Sequence, residues 1–270
     1  MNGTYPELDS LSLSELQARF RAAPPKDPDL EGNYQLWYEE LAVAIRERDP
    51  DEGARFLRGE ADRGDPDRLS AILLAIAWFD ERDRVYADLA IECLDHPDEQ
   101  VAARAIDGLA GLGGCGLTER ILALGADPRV LVRGAVLRFA PQVVPDRAPA
   151  LLLHALHDPH YIVRENAVDE LDELDYAPAL PSIEALRADP HPHVRTAALA
   201  AIANLAPPDS ATPSLLDALH DPDAHVRWTA VDQLGDLKQF TDRDVFERML
   251  DDPDEEVREY TRSILDHHVA

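Results

Sequence analysis

Cysteine is scarce in this sequence, which has only Cys93 and Cys115 among its 270 residues. Two cysteines build neither a disulfide framework nor a zinc-binding pattern, so we expect a protein of a reducing compartment, the cytoplasm. The first residues lack a basic segment followed by an apolar one, so no signal peptide is predicted. No apolar run reaches the length of a membrane-spanning helix, and we therefore predict no membrane association.

Short catalytic motifs are also missing. The chain has no glycine-rich phosphate loop, no G-x-S-x-G elbow and no cysteine pattern for zinc. These absences favour a protein that is not an enzyme and that has no cofactor and no metal. Lysine is rare too, because only Lys26 and Lys238 occur.

Acidic residues dominate the charge, with 53 Asp and Glu against 26 Lys and Arg and a net charge of −27. A field of this sign repels nucleic acids and anionic membranes and attracts basic partners. The composition therefore predicts no nucleic-acid binding. Two readings of the acidity stay open, namely a surface that binds a basic protein and an adaptation to solubility or to a salt-rich cytoplasm.

A proline-centred signature recurs every 31 or 32 residues through the last two thirds of the chain. It first occurs complete as Asp127-Pro128 followed by Val132-Arg133, and an earlier copy at Pro97 lacks both the Asp and the Arg. A fixed period of this length is typical of a solenoid, in which one supersecondary unit is stacked repeatedly. The signature prolines are Pro97, Pro128, Pro159, Pro190, Pro222 and Pro253.

Each signature is predicted to open an amphipathic helix. Apolar residues follow the proline by four, eight, nine and twelve positions, except for Thr261 and Arg262 in the last copy, and this spacing places them on one helical face. Because proline is tolerated in a first turn and the preceding Asp can cap it, we expect the helix to begin at the proline. A break and a second apolar helix follow, for example over residues 148–156.

These patterns predict an all-α fold, an α-solenoid of stacked antiparallel helix pairs that form a right-handed superhelix. The run D-P-x-x-x-V-R, with Ala and Leu further on, resembles the HEAT repeat, specifically its short phycobilin-lyase-type variety. The resemblance covers residues 66–270 and implies about six to seven units, the first degenerate and the last incomplete. Residues 1–65 are predicted to form an irregular helical cap, which includes a capping box at Ser12 to Glu15.

The Asp and the Arg of the signature are retained together in five copies. The resemblance implies that each Arg pairs with the Asp of an adjacent unit, so we predict a structural ladder between repeats rather than a basic binding stripe. The ladder residues are Asp127, Arg133, Asp158, Arg164, Asp189, Arg195, Asp221, Arg227, Asp252 and Arg258.

Histidines cluster in three successive turns between repeats. Equivalent positions are expected to lie about 10 Å apart, the spacing of packed helices. Metal bonds are about 2 Å long, so equivalent histidines are not expected to share an ion. The six residues are His157, His160, His191, His193, His220 and His225.

Partner-binding candidates are the positions that depart from the repeat. The resemblance implies that second helices line a concave face, and His154, Glu184 and Asp217 are expected to point outward from it. Trp228 stands where other repeats have mostly small or polar residues, which is typical of an interaction hot spot, although packing over a neighbouring loop would also explain it. Tyr161 is a weaker candidate of the same kind.

Families that share this repeat suggest further activities. Deoxyhypusine hydroxylase holds two irons with His-Glu pairs, and this sequence has no His-Glu dipeptide. Alkylpurine DNA glycosylases need a basic concave face, against which the charge argues. The favoured hypothesis is a non-enzymatic scaffold or adaptor whose acidic surface binds a basic protein. The alternatives are a toxin-neutralising immunity-type protein and a phycobilin-lyase-like enzyme or chaperone that acts on a tetrapyrrole-carrying protein.

Overall fold

The protein is an all-α solenoid, as the sequence predicts. A computed structural model describes residues 6–22, 34–62, 65–76, 84–237 and 242–268, and within these ranges sixteen α-helices and several short 3-10 turns occur without any strand. The chain divides into two compact units, residues 1–145 and 146–270. The expected boundary between an N-terminal cap and the repeats, at residues 65 and 66, stays a prediction.

In the first unit, alternate helices pack side by side in chain order, α2 on α4, α4 on α6 and α6 on α8. The predicted capping box opens α1, since the Glu15 carboxylate accepts from the Ser12 N–H at 2.9 Å. The helices are α1 Leu13–Arg21, α2 Tyr34–Arg48, α3 Pro50–Ala61, α4 Pro66–Ile76, α5 Arg84–Cys93, α6 Glu99–Gly111, α7 Thr118–Ala123 and α8 Val130–Val143.

In the second unit, the longer helices α10, α12, α14 and α16 form the same kind of stack, and each shorter helix packs on the long helix that follows it. This alternation is the expected helix pair. The helices are α9 Ala148–Ala155, α10 Tyr161–Glu173, α11 Leu180–Ala185, α12 Pro192–Leu205, α13 Pro208–Ala218, α14 Ala224–Asp236, α15 Arg243–Met249 and α16 Glu255–His268.

The repeated apolar positions form the core, as the periodicity predicts. The valine four residues after each proline is at most 2% exposed in all six copies. The residue at the eighth position is small and at most 3% exposed; in the last copy it is Thr261, whose hydroxyl donates to the Val257 carbonyl at 2.7 Å. The six valines are Val101, Val132, Val163, Val194, Val226 and Val257.

The predicted helix start is wrong by two residues. In all six copies the helix begins two positions after the proline, as at Tyr161 after Pro159. The preceding Asp does not cap the helix, because its carboxylate closes a turn around the proline instead; Asp158 Oδ1 accepts from the His160 N–H at 2.8 Å. The residue after the proline occupies the N-cap position instead, and in α14 this residue, Asp223, caps the helix with its side chain.

Candidate functional site

Three arginines of the signature bind the Asp of the next repeat through paired hydrogen bonds. Nε and Nη2 of each guanidinium lie 2.7 to 2.8 Å from the two carboxylate oxygens, in Arg164–Asp189, Arg195–Asp221 and Arg227–Asp252. The third nitrogen, Nη1, donates to the carbonyl of the Asp in its own repeat. Each arginine therefore ties the turn of one repeat to the turn of the next.

Further contacts of the predicted ladder residues lie within single turns. The Asp127 carboxylate binds Arg129 within the same turn, with Nε and Nη2 both 2.9 Å away. Arg133 donates to the carbonyls of Asp127 and Pro128, and Asp158 closes its own turn. Arg258, in the last copy, likewise donates to the carbonyls of Asp252 and Pro253.

The ladder carboxylates that bind an arginine side chain have lowered pKa values. Burial opposes the charge on Asp189, but the Arg164 guanidinium and the His191 N–H outweigh it, so the pKa of Asp189 lies below its ordinary value. The same balance lowers the pKa of Asp221, beside Arg195, and that of Asp252, beside Arg227. A charged hydrogen-bonded pair of this geometry fixes the spacing of successive repeats.

Glu184 and Asp217, two of the three partner-binding candidates on the second helices, both contact Arg187. Arg187 Nη2 lies 2.6 Å from Asp217 Oδ2, and its Nη1 lies 3.3 Å from Glu184 Oε2. Ser214 donates its hydroxyl to the Glu184 carboxylate at 3.1 Å, whereas the Asp217 side chain stays 78% exposed. His154 is exposed on α9 and does not belong to this group.

Trp228 and Tyr161 both lie in a continuous row of aromatic rings, at the start of α10, α12, α14 and α16. Neighbouring ring centroids are 3.5 to 6.4 Å apart, and the closest pair is Tyr161 on His191. All the rings are at least partly exposed. The ring row consists of His160, Tyr161, His191, His193, His225, Trp228 and Tyr260.

Two histidines at equivalent positions lie closer together than the spacing of packed helices. The ring centroids of His193 and His225 are 6.4 Å apart. Within the described ranges, however, no group of three or more metal-binding side chains is suitably arranged for an ion.

Carboxylates flank the ring row. His193 Nδ1 lies 3.6 Å from Glu165 Oε1, a contact that becomes an ion pair when the imidazole is protonated. At the other end, the Tyr260 hydroxyl donates to Asp232; this bond, together with burial, raises the pKa of Tyr260 to about 12. The row thus combines flat apolar surfaces with negative charge.

A pocket of about 440 Å³ opens beside Trp228, which we call the Trp228 pocket. The backbone N–H groups of Glu256 and Val257 hold the Asp254 carboxylate there, at 3.0 and 3.3 Å from Oδ1. The Glu256 side chain is exposed. The lining residues are Ala224, His225, Trp228, Asp254, Glu256 and Val257.

Sequence reasoning missed Arg187 and Tyr260. Arg187 follows a terminal leucine and does not belong to the repeated signature, and its role depends on contacts in two repeats. Tyr260 lies seven residues after its proline, next to the position of Trp228 in the preceding copy. A comparison of neighbouring positions, rather than only equivalent ones, would have found it.

Comparisons with known proteins agree with this geometry. A model of HEAT repeats matches residues 117–202 and 179–264, which together make up more than half of the chain. No curated protein matches the sequence. Among solved structures, YibA of Escherichia coli is similar at 18% identity with a TM-score of 0.60, covering 98% of this chain and 96% of its own.

An engineered protein of solved structure is 15% identical, with a TM-score of 0.49, and the match covers 94% of this chain and 77% of that one. At 18% identity, the similarity to YibA bears on the fold alone. No helix in the described part of the chain is long and apolar enough to cross a membrane. The match to the repeat model carries the assignment, and the chain belongs to the HEAT-repeat family.

Proposed function

We propose that this protein is a non-enzymatic scaffold or adaptor whose acidic surface binds a basic protein. HEAT repeats are scaffolds that generally mediate protein interactions. The net charge of −27 supplies a long-range attraction for a basic partner. The observation that carries the proposal is Asp217, which is 78% exposed and is nevertheless fixed by Arg187.

An exposed carboxylate that is already held in place is well suited to recognition. Its position is set before binding, so less side-chain entropy is lost when a cation approaches. Glu184 is less suited, because its oxygens already accept from Ser214 and Arg187. Asp217 is therefore the better residue for a charge-reversal test, since Glu184→Lys would break the contacts with both Ser214 and Arg187, whereas Asp217→Lys breaks one ion pair with Arg187.

The test uses the full chain as bait in an extract of its native host, with Asp217→Lys and Glu7→Lys baits in parallel. Glu7 is exposed in the N-terminal 3-10 turn, so its substitution changes the net charge equally at a different place. A retained protein is identified by mass spectrometry, purified, and titrated against each bait at low and high salt.

We expect the retained protein to be basic and its Kd to rise at least about fivefold with Asp217→Lys, whereas Glu7→Lys has a smaller effect. Added salt should weaken binding to the unchanged bait. A partner that binds equally to all three baits and is insensitive to salt would overturn the proposal.

A further inference from the structure

We propose that the Trp228 pocket binds an arginine side chain of the partner protein. The inference rests on the proposed function, since it assumes a basic partner, and it names one point of contact. The pocket combines an aromatic ring with two carboxylates, Asp254 and Glu256. Its charged lining residues are both negative, and this charge selects a cationic occupant.

Trp228 supplies the surface for stacking. Among aromatic side chains, tryptophan offers the strongest attraction to a cation over its face. Its ring is partly exposed between His225, at 6.2 Å and nearly parallel, and Tyr260, at 4.5 Å. Because the neighbouring rings hold the indole in position, little side-chain freedom remains to be lost on binding.

The two carboxylates supply the charge. Asp254 is fixed by the backbone N–H groups of Glu256 and Val257. The Glu256 side chain is exposed in the first turn of α16 and can turn toward a ligand. Neighbouring arginines of the protein are engaged elsewhere, since Arg227 binds Asp252 and Arg258 binds the carbonyls of Asp252 and Pro253.

Arginine fits this combination better than lysine. A guanidinium is planar and weakly hydrated, so it can stack on an indole while its edge donates to carboxylates. An ammonium is a compact, strongly hydrated charge and gains less from a flat aromatic wall. The next part of the ring row, where His193 lies beside Glu165, repeats the pairing of a ring with a carboxylate and would extend the contact to a longer basic segment.

The test is a ¹⁹F NMR titration of the full chain labelled with 5-fluorotryptophan. The chain has three tryptophans, and Trp228→Phe assigns the Trp228 resonance; Trp37 is buried and serves as an internal reference. The probes are acetyl-Gly-Arg-Gly-amide and its citrulline and lysine analogues. Citrulline keeps the shape of arginine and removes the charge.

We expect the arginine peptide to shift the Trp228 resonance in a saturable manner and leave the Trp37 resonance in place. The Kd of the arginine peptide should be at least about threefold lower than that of the lysine peptide, and the citrulline peptide should not bind. Glu256→Gln should raise the Kd about threefold. The matched control, Asp266→Asn, removes the same charge from an exposed residue further along α16 and should leave the Kd unchanged.

Two results of the titration would overturn the assignment. One is a Trp228 resonance that the arginine peptide does not move or that the citrulline peptide moves equally. The other is a shift produced by a single-stranded oligothymidylate but not by arginine, which would mean that the ring row stacks on bases.

The basic protein retained by the bait provides a test that distinguishes the two proposals. If that partner depends on Asp217 but binds Trp228→Leu as tightly as the unchanged chain, the pocket assignment fails and the proposed function stands. If the arginine peptide titrates Trp228 but no salt-sensitive basic partner exists, the proposed function fails and the pocket stands.

Discussion

Arg227 on α14 and Asp252 in the next turn form the most buried of the three paired arginine–aspartate contacts described above, with only 10% and 3% of their side chains exposed. Both guanidinium contacts are short, at 2.7 and 2.8 Å, and Arg227 also donates to the carbonyls of Asp221 and Pro222. The pair therefore joins two repeats at a point that water hardly reaches.

Removal of either side chain of the Arg227–Asp252 pair should lower the stability of the fold, because the remaining charge stays buried without an opposite charge. We expect Arg227→Ala to lower the free energy of unfolding by about 3 kcal/mol. The matched control is Arg243→Ala, which breaks the Arg243–Glu247 pair, half-exposed at 50% and 52%, and should cost less than about 1 kcal/mol. Urea denaturation followed by circular dichroism measures both.

Equal losses in Arg227→Ala and Arg243→Ala would contradict a structural role for the ladder. A third variant, Arg227→Lys, tests geometry separately from charge. Lysine keeps the charge but cannot make the paired contact to Asp252, so its stability should fall between those of the unchanged chain and Arg227→Ala.

The ladder carboxylates predict a loss of stability in acid. Asp252 has a lower pKa in the folded protein than its ordinary value of 3.8, because its interactions with Arg227 and the Asp254 N–H outweigh the effect of burial. A group of this kind stabilises the fold fully above its unfolded pKa, and the contribution is lost as the pH falls through the folded pKa. Stability should therefore decline below about pH 4.

Asp252→Asn isolates this contribution, since the amide oxygen can still accept from the Asp254 N–H. The difference in unfolding free energy between the unchanged chain and Asp252→Asn should be constant near neutral pH and shrink below about pH 4. A difference for Asp252→Asn that does not change with pH would contradict the prediction.

The core could be predicted from the sequence because it depends on a repeated spacing. Val163, Val194 and Val226 each lie four residues after a signature proline, and all three are buried. In a solenoid, residues at the same distance from the proline have the same surroundings in each repeat. The start of each helix was misplaced because an Asp before a proline can cap a helix or close a turn, and here it closes the turn. Nothing in the residue types distinguishes these alternatives.

The ring row was harder to predict because its contacts link residues that lie at different distances from their signature prolines. Tyr161 lies two residues after its proline and stacks on His191, which lies one residue after the next proline. Comparison of equivalent positions in successive repeats identified Trp228 and Tyr161 as unusual residues but did not place them in one row. Side-chain direction in successive turns determines this contact, and the repeat period does not contain that information.

A close approach of two helices in the first unit gives a further prediction. Gly53 on α3 faces the backbone of α2, and a Cβ added to it would lie 2.5 Å from the Ile45 carbonyl oxygen and 3.2 Å from Arg46 Cα. Because these are backbone atoms, a change of rotamer cannot relieve the clash, and the two helices must separate. We expect Gly53→Ala to lower the free energy of unfolding by about 2 kcal/mol.

Gly59, in the same helix α3, provides the matched control. An added Cβ there meets no atom within 4 Å, so Gly59→Ala should stabilise the helix by up to about 1 kcal/mol through the higher helix propensity of alanine. The two substitutions are the same and lie in the same helix. The opposite changes that we expect in the free energy of unfolding therefore follow from position alone. Thermal unfolding measures both variants, and a Gly53→Ala protein as stable as Gly59→Ala would show that α2 and α3 do not pack at this distance.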